Sequence, residues 1–271
     1  MKNEYPITII CKTLNIEYKS YNKWKNNGES KMNNYNFFIA KIISEEHFNT
    51  KRVYGVVRLK FNIQNKYGLN LNHKLIRRYK KNLGLVTITR KKRCLFYREK
   101  QKRNYHLAVP NQLNNNFTSN SKFNKLSTDV SYINCTDGRL YLSAVKDLFN
   151  NEIISYFVSN KNDTNLIINS LDKVPKYNGI IHSDQGSIYL SPTYKKHMKD
   201  KGYQISMSRK GACWENSPIE NWFSQLKEEH LRPIGLKTMR ETKIEIKKYI
   251  EWYNTQRIQK DLGYLPPVSY R

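Results

Sequence analysis

The sequence predicts an α/β protein in which a mixed five-stranded sheet is flanked by helices and preceded by a small all-α unit of the helix-turn-helix type. Three observations support this fold class. Between residues 37 and 82, apolar residues recur at helical spacing, with a glycine-containing break between two short helices. From residue 126, runs of β-branched and aromatic residues are separated by short polar turns. After residue 160, helical and strand patterns alternate and end in two longer helices.

The all-α unit is predicted to contain helices over residues 37–47, 56–65 and 72–82. The break at Gly68 separates the last two, which together have the form of a DNA-binding helix-turn-helix. Upstream of this unit, residues 5–11 suit either a short apolar helix or a strand.

Basic residues concentrate on the third helix and directly after it. Residues 72–104 contain thirteen Lys or Arg and one acid, Glu99. Such a cluster would neutralise several phosphates, although a solvated helix face followed by a basic linker would have the same composition. The residues that we expect to contact DNA are Arg77, Arg78, Lys80 and Lys81 on the helix and Lys91, Lys92 and Arg93 beyond it.

The second half of the chain carries the pattern of the sheet. Strands are predicted over 126–133, 140–148, 153–158, 179–183 and 203–208, and helices over 165–174, 192–201, 217–231 and 239–257. The first three strands follow one another through short turns and are therefore expected to be antiparallel. The resulting domain boundaries are an N-terminal extension (1–34), the helix-turn-helix (35–90), a basic and Asn-rich linker (91–122) and the sheet domain with its C-terminal helices (123–271).

The overall charge indicates a polyanionic partner. The chain has 48 Lys and Arg against 22 Asp and Glu, a formal net charge of +26, which builds a potential that attracts nucleic acid or an anionic membrane. No run of about 18 apolar residues and no signal-peptide pattern occurs, which disfavours the membrane. Charge alone does not separate an enzyme that acts on nucleic acid from a structural RNA binder.

The cysteine and histidine residues show no metal or disulfide spacing. The four cysteines are far apart without a CxxC pair, and the six histidines are scattered. This spacing argues against a zinc ribbon and against a dense disulfide framework, and it fits a reducing cytoplasm.

Three acids occupy unusual places in the predicted elements. Asp129 lies midway in the first strand, where an unneeded charge is costly. Asp184 ends the fourth strand, and ligands gather at the carboxyl ends of strands. Glu220 lies in the first turn of a helix. Each of the last two has a structural alternative, since Asp184 can cap the turn at Gly186, and Ser217-Pro218-Ile219-Glu220 has the form of a capping box.

Spacing and flanking residues together link these acids to a known family. Thirty-five residues separate Asp184 from Glu220, and Lys227 lies two helical turns beyond Glu220. Further matching stretches are 128–133, 140–143, 182–187, 207–211, 216–223, Tyr253-Asn254 with Arg257, 267–271 and, upstream, Tyr54-Gly55 and 72–85. Over nearly its whole length the chain resembles the DDE transposases and retroviral integrases, and most closely the OrfB product of the IS-three family of insertion sequences.

The chain departs from the pattern of that family at two places. Leu126 stands where the family has Trp before Thr-Asp, and Val56-Val57-Arg58 replaces an aromatic-Arg-Arg string after Tyr-Gly. Neither position coincides with one of the three acids.

The resemblance implies an RNase H-like, integrase-type catalytic core. It implies that Asp129, Asp184 and Glu220 are catalytic and hold two Mg²⁺ ions, with Mn²⁺ as a substitute, for cleavage at element ends and 3′-OH strand transfer. It adds Lys227, His182, Arg209 and Lys210 as candidate DNA contacts. The implied partners are double-stranded DNA (terminal repeats and target), an upstream OrfA product joined by frameshift fusion, and further copies of the chain on DNA, at the nucleoid of a bacterial cytoplasm.

Two other functions stay open on the sequence. One is a nuclease or junction resolvase of the same fold, which only hydrolyses DNA. The other is a non-enzymatic DNA binder, a decayed or co-opted transposase. Among secondary features, Asp147 is interpreted as a turn cap rather than a fourth acid, Trp214, Trp222 and Trp252 are expected in the core, and the segment with Tyr253, Asn254 and Arg257 has no assigned role.

Overall fold

The computed structural model describes residues 6–27, 31–89 and 108–270. The predicted DNA contacts Lys91, Lys92 and Arg93, and the larger part of the predicted linker, lie outside the described residues.

The N-terminal region is helical. Its helices are α1 (Ile7–Thr13), α2 (Tyr18–Asn27), α3 (Lys31–Asn49), α4 (Val56–Tyr67) and α5 (His73–Asn82). Within the segment predicted as a short helix or strand, residues 7–11 are therefore helical. Helix α2 was not predicted, and α3 runs across the predicted domain boundary at 34/35. Gly68 ends α4 with a positive φ of 68°, a conformation that favours glycine. Asn72 caps α5 by accepting a hydrogen bond from the Lys74 amide.

A mixed five-stranded sheet follows, as predicted. Its strands are β1 (Lys125–Cys135), β2 (Gly138–Asp147), β3 (Ile153–Ser159), β4 (Ile180–Ser183) and β5 (Gln204–Met207), in the spatial order β3-β2-β1-β4-β5. The pairs β1/β2 and β2/β3 are antiparallel, whereas β1/β4 and β4/β5 are parallel. Strand β1 is therefore central and pairs antiparallel on one side and parallel on the other.

Helices cover both faces of the sheet. The helices α6 (Thr164–Leu171) and α7 (Pro192–Asp200) pack with one face, whose core includes Leu126, Val145 and Ile181. The helices α8 (Ser217–Leu226) and α9 (Met239–Thr255) pack on the other, whose core includes Leu142, Ala144 and Trp222. The predicted continuous helix 217–231 changes at Leu226 into a π-helical segment, Lys227–Leu231. Such insertions are frequent at functional sites.

The helical N-terminal region packs against the sheet domain. The Tyr54 hydroxyl donates to the carbonyl of Gln256 (3.1 Å) and accepts from the amide of Ile258 (2.8 Å). The rings of Phe61 and Tyr264 stack with centroids 3.8 Å apart. One continuous apolar core includes residues of both regions. The two regions therefore share their packing around the end of α9 and the C-terminal tail.

The described end of the predicted linker is also packed. Ala108 and Val109 contact the core on the α6/α7 face, and Leu113 is buried. The amide of Gln112 donates to Ser206 Oγ of β5 (2.8 Å). Residues 108–113 of the predicted linker therefore pack against the sheet domain, where they cover apolar surface beside β5. No helix within the described ranges has the length and hydrophobicity needed to cross a bilayer.

Candidate active site

The parallel pairing of β1 and β4 places Asp129 and Asp184 side by side. The observed register joins Ser127 to His182, and two residues further along both strands lead to Asp129 and Asp184. Asp184 follows the last residue of β4 directly. The two carboxylates therefore lie on neighbouring strands at the edge of the sheet where ligands of α/β proteins gather.

Helix α8 brings Glu220 to the same place. One pocket is lined by Asp129, Ser131, Glu220 and Lys227. The start of α8 is held against β1 by Asn216, whose Oδ1 accepts from Ser127 Oγ (2.7 Å) and whose Nδ2 donates to the Thr128 carbonyl (3.2 Å). Asn216 was missed as a positioning residue, although it opens one of the stretches that match the family.

The capping-box interpretation of Ser217 to Glu220 is wrong. The residue that caps α8 is Asn216, and it makes no side-chain capping bond. Its side chain is instead committed to β1, so the helix begins one residue earlier than the box requires and Glu220 lines the pocket. The other structural alternative is confirmed, because Asp184 Oδ1 accepts from the Gly186 amide (2.8 Å). A Cβ at Gly186 would lie 2.9 Å from that oxygen, which explains the glycine.

The three acids act on each other electrostatically. The pKa of Asp129 is raised well above its ordinary value, first by burial, then by the negative charge of Asp184, with Glu220 adding to it. The amide of Val130 and the ammonium of Lys227 act in the opposite direction. Neighbouring like charges that raise a pKa in this way provide a place where a bound cation is favourable.

Lys227 is held beside the acids by β1. Its Nζ donates to Ser131 Oγ (2.6 Å) and lies 5.0 Å from the centroid of the Tyr132 ring. Ser131 and Tyr132 were not singled out from the sequence as supports of this lysine, because they belong to a strand ninety-odd residues away along the chain.

The donor set suits a hard divalent cation, since carboxylate oxygens are the ligands that such ions prefer. Within the described ranges, however, no group of three or more His, Cys, Asp or Glu side chains is already arranged to hold an ion.

Comparisons with known proteins agree with this architecture. Residues 119–213 and 220–271 match two families that are both described as integrase core domain, and residues 38–93 match an HTH-like domain. A putative transposase of insertion sequence IS150 from Escherichia coli K12 is 34% identical over 238 residues, which are 86% of this chain and 82% of that protein. The chain belongs to the insertion-sequence transposases.

A second relative and a solved structure extend the comparison. An uncharacterized transposase-like protein from Haemophilus influenzae is 36% identical over 207 residues, 75% of this chain and 94% of that protein. The HTLV-2 integrase catalytic core domain, solved in complex with magnesium, is 13% identical with a TM-score of 0.44 and covers 55% of this chain and 96% of its own. The integrase core of the transposase implies dependence on a divalent metal, and its HTH-like domain implies DNA binding.

The residues of α5 that were expected to contact DNA lie on two different faces of the helix, one exposed and one buried. Arg77, Arg78 and Lys81 are exposed. Lys80 is only 8% exposed and donates to Thr87 Oγ1 (2.7 Å), with His47 Nδ1 at 3.3 Å. Its assignment as a DNA contact is therefore wrong, because it lies four residues after the buried Ile76 and shares the inward face of the helix.

His182 also points into the interior. It is fully buried, its Nδ1 lies 2.8 Å from Ser206 Oγ, and burial is the main cause that lowers its pKa to about 4. A direct contact with DNA is therefore excluded in this conformation. The neutral imidazole bridges β4 and β5 and supports the strand that presents Asp184.

Arg209 and Lys210 are both exposed beside the active-site edge. The guanidinium of Arg209 is paired with the buried Glu215 (2.7 Å), which also accepts from the Arg209 amide (2.6 Å). Arg209 therefore stabilises the loop before α8 through its contacts with Glu215. Its side chain is also exposed to solvent.

The secondary expectations have mixed outcomes. Asp147 is confirmed as a turn cap, since its oxygens accept from the amides of Phe149 (2.9 Å) and Phe123 (2.8 Å). Trp222 and Trp252 are buried as expected, but Trp214 is 58% exposed. The expectation for Trp214 is wrong because the 3-10 turn that carries it packs through Glu215 and Asn216 instead.

The Tyr253, Asn254 and Arg257 segment acts as a clamp in the structure. Asn254 accepts from the Ile153 amide (3.0 Å) and donates to its carbonyl (2.9 Å), which holds α9 to β3. Arg257 makes two hydrogen bonds to Glu229 in the π-helical segment (2.8 and 2.6 Å). The segment thus joins α9 to the elements that carry Glu220 and Lys227.

Proposed function

We propose that this transposase cleaves DNA at the ends of its insertion sequence and joins the freed 3′-OH to target DNA, with Asp129, Asp184 and Glu220 as the catalytic acids. The observation that supports this most directly is the meeting of the three acids from β1, the end of β4 and α8. Burial raises the pKa of Asp129 well above its ordinary value, and the negative charges of Asp184 and Glu220 raise it further.

The three carboxylates would hold two Mg²⁺ ions, with Mn²⁺ as a substitute. When bound, such a pair of ions activates the attacking oxygen and stabilises the leaving oxygen of an in-line phosphoryl substitution. The chain itself supplies the framework: Asn216 sets the position of α8, and the Asp184–Gly186 turn orients the second acid. Lys227, placed by Ser131, would bind the phosphate next to the reacting one.

The bonds balance in both steps. In cleavage, a water oxygen bonds to phosphorus, the bond from phosphorus to the 3′ oxygen breaks, and the element end gains a free 3′-OH. In strand transfer, that 3′ oxygen bonds to a target phosphorus while the target's own 3′ oxygen leaves. Each step exchanges one phosphorus–oxygen bond for another, so no nucleotide hydrolysis is required.

DNA would be held by the exposed basic residues. Arg77, Arg78 and Lys81 on α5 are exposed and suited to the terminal repeats, and we propose that Lys91, Lys92 and Arg93 act with them. Arg209 and Lys210 follow shortly after β5, which pairs with the strand that ends before Asp184. Joining two ends implies at least two copies on DNA, and an upstream OrfA product joined by frameshift fusion would complete end recognition at the bacterial nucleoid. The net charge of +26 favours this polyanionic partner.

The decisive experiment is a strand-transfer assay. Purified chain, alone and fused to the upstream product, is incubated with Mg²⁺ and labelled duplex that carries the element ends, beside Asp184→Asn. We expect cut and joined products with wild type and neither with the variant, while duplex binding persists in both. Cutting without joining would support the nuclease alternative, and binding without either reaction would support the non-enzymatic DNA binder.

A further inference from the structure

A tyrosine of the helical N-terminal region is bonded to the two residues that flank Arg257. The Tyr54 hydroxyl donates to the carbonyl of Gln256 (3.1 Å) and accepts from the amide of Ile258 (2.8 Å). Tyr54 is 1% exposed, so water cannot replace it in these bonds while the interface stays closed. The backbone on both sides of Arg257 is therefore fixed by a side chain from outside the sheet domain.

Arg257 extends this constraint to the π-helical segment, Lys227–Leu231. Its guanidinium donates to both oxygens of Glu229 (2.8 and 2.6 Å), and the Tyr249 hydroxyl donates a third hydrogen bond to the same carboxylate (2.9 Å). Arg257 is buried. A buried ion pair tolerates little displacement, because moving either partner leaves a charge unpaired in the interior. The position of Glu229 therefore follows from that of Arg257.

Two basic residues of the helical N-terminal region also face the π-helical segment. Burial and the positive charge of Arg257 lower the pKa of Arg58, and the negative charge of Glu229 opposes this change. Burial and then the charge of Lys51 lower the pKa of His230. The helical N-terminal region thus approaches the segment at two neighbouring residues, Glu229 and His230.

The π-helical segment continues directly from the helix that carries Glu220. Helix α8 ends at Leu226, and Lys227, the first residue of the segment, lines the carboxylate pocket together with Asp129 and Glu220. A shift of the segment would therefore move one wall of the pocket. Because phosphoryl transfer depends on the alignment of the reacting atoms, a displacement of about 1 Å can slow such a reaction by about a hundredfold.

We propose that Tyr54 is a positioning residue for the carboxylate pocket of the transposase. By fixing the backbone beside Arg257, it holds Glu229 and the π-helical segment, and it thereby keeps one wall of the pocket in place. The helical N-terminal region then contributes to the rate of the chemical step as well as to the binding of DNA. The proposal rests on the proposed function, since it takes the pocket as the place of the reaction.

Hydrogen exchange of the full chain tests the link between Tyr54 and the π-helical segment without DNA or metal. Tyr54→Phe removes the hydroxyl and keeps the buried ring. The matched control, Tyr79→Phe, removes a hydroxyl that donates to Asn36 within the helical N-terminal region (2.9 Å). We expect peptides over residues 227–235 to exchange about tenfold faster in Tyr54→Phe than in wild type, because two hydrogen bonds at the anchor of the segment are lost. The control should leave this exchange unchanged, and an equal change in both variants would overturn the proposal.

Single-turnover cleavage at saturating DNA separates positioning from DNA binding. Labelled element ends are mixed with excess protein and the reaction is started with Mg²⁺, while the dissociation constant of the same duplex is measured without metal. For Tyr54→Phe we expect the rate constant to fall about tenfold and the dissociation constant to stay within about twofold of wild type. Tyr79→Phe should match wild type in both. A raised dissociation constant with an unchanged rate constant would assign Tyr54 to DNA binding alone and overturn the proposal.

A second variant reaches Glu229 from the sheet domain. Tyr249→Phe removes one donor to this carboxylate and leaves both bonds of Tyr54 intact. We expect it to change hydrogen exchange and cleavage in the same direction as Tyr54→Phe. The double variant should lose less activity than the product of the two single losses, because both changes act on one carboxylate. Fully independent effects would show that Tyr54 does not act through Glu229.

The outcomes separate this proposal from the function on which it rests. If wild type cuts and joins DNA, and Tyr54→Phe behaves like Tyr79→Phe in both experiments, the positioning role is overturned and the transposase mechanism stands. If wild type neither cuts nor joins, the proposed function fails. Hydrogen exchange then still decides whether Tyr54 fixes the π-helical segment.

Discussion

Two carboxylates with little exposure to solvent, Glu46 and Asp129, have opposite surroundings in this structure. Glu46 in α3 is 2% exposed, and its oxygens accept hydrogen bonds from Asn49, Asn62, Lys66 and Tyr67 at 2.6–3.1 Å. Asp129 in β1 is partly buried and faces two further acids. Both are removed from water, but one is surrounded by donors and the other by like charges.

The pKa values of the two groups move in opposite directions. For Glu46, burial raises the pKa, but the hydrogen bonds from Lys66, Asn49, Tyr67 and Asn62 outweigh it, so the pKa ends below its ordinary value. For Asp129, burial and the neighbouring Asp184 act together and raise it. Glu46, whose oxygens accept several hydrogen bonds, stabilises the fold. Asp129, which lies beside other negative charges, is available to bind a cation.

The largest expected effect is on catalysis. Asp129→Asn removes a charge that the reaction needs, so we expect strand cleavage and joining to fall by roughly 10³-fold or more. Gel assays of labelled element ends measure this. Asp200→Asn, at the exposed end of α7, is the control and should act like wild type. Activity of Asp129→Asn within tenfold of wild type would remove Asp129 from the catalytic set.

A third carboxylate, Glu229, extends the comparison of Glu46 with Asp129, because it forms an ion pair with the buried Arg257. Arg257 is buried and bonds both oxygens of Glu229, whereas the neighbouring pair Arg232–Glu228 lies at the surface. We expect Arg257→Gln to lower the free energy of unfolding by about 3–5 kcal/mol and Arg232→Gln by about 0–1 kcal/mol. Urea unfolding checks both, and equal losses would show that burial does not set the contribution of these pairs.

Glu46→Gln tests the satisfied carboxylate itself. It keeps the shape but weakens the bonds from Lys66, Tyr67 and both amides, so we expect a loss of about 1–3 kcal/mol at pH 7. Glu45→Gln, on the exposed side of the same helix, is the matched control. Because the folded pKa of Glu46 lies below the unfolded value, its contribution is present above that value and is lost as pH falls through the folded pKa. A difference between wild type and variant that stays constant from pH 7 to pH 3 would contradict this.

The smallest expected effect is a change in melting temperature for Asp129→Asn in the absence of metal. Because the folded pKa of Asp129 is raised, its charge destabilises the metal-free fold at neutral pH, and this cost is relieved as pH falls through the folded pKa. We therefore expect Asp129→Asn to raise the melting temperature in EDTA by roughly 2–4 °C. Added Mg²⁺ should raise the melting temperature of wild type more than that of the variant. A variant that melts lower than wild type in EDTA would show that Asp129 is satisfied like Glu46.

The elements of the fold were largely predictable because their signals are local. The runs of β-branched and aromatic residues in β1 to β3, the polar turns between them and the Gly68 break each depend on a few neighbouring residues. The three acids were identified by spacing and flanking residues together, not by chemistry alone. Lys80 was expected to contact DNA because it is charged, and Trp214 was expected in the core because it is large and apolar. Both predictions were wrong because each residue lies on the opposite side of its element, Lys80 facing the interior and Trp214 facing solvent.

The sequence by itself determined the type and order of the elements, the strongly basic balance and the resemblance that singles out Asp129, Asp184 and Glu220. Only the tertiary structure decided what each of these side chains faces. The bond from Asn216 to β1, the support of Lys227 by Ser131 and the clamp of Arg257 on Glu229 join residues that lie 28 to 96 positions apart. Contacts over such distances depend on how the elements pack, and no local pattern of residue types encodes that packing.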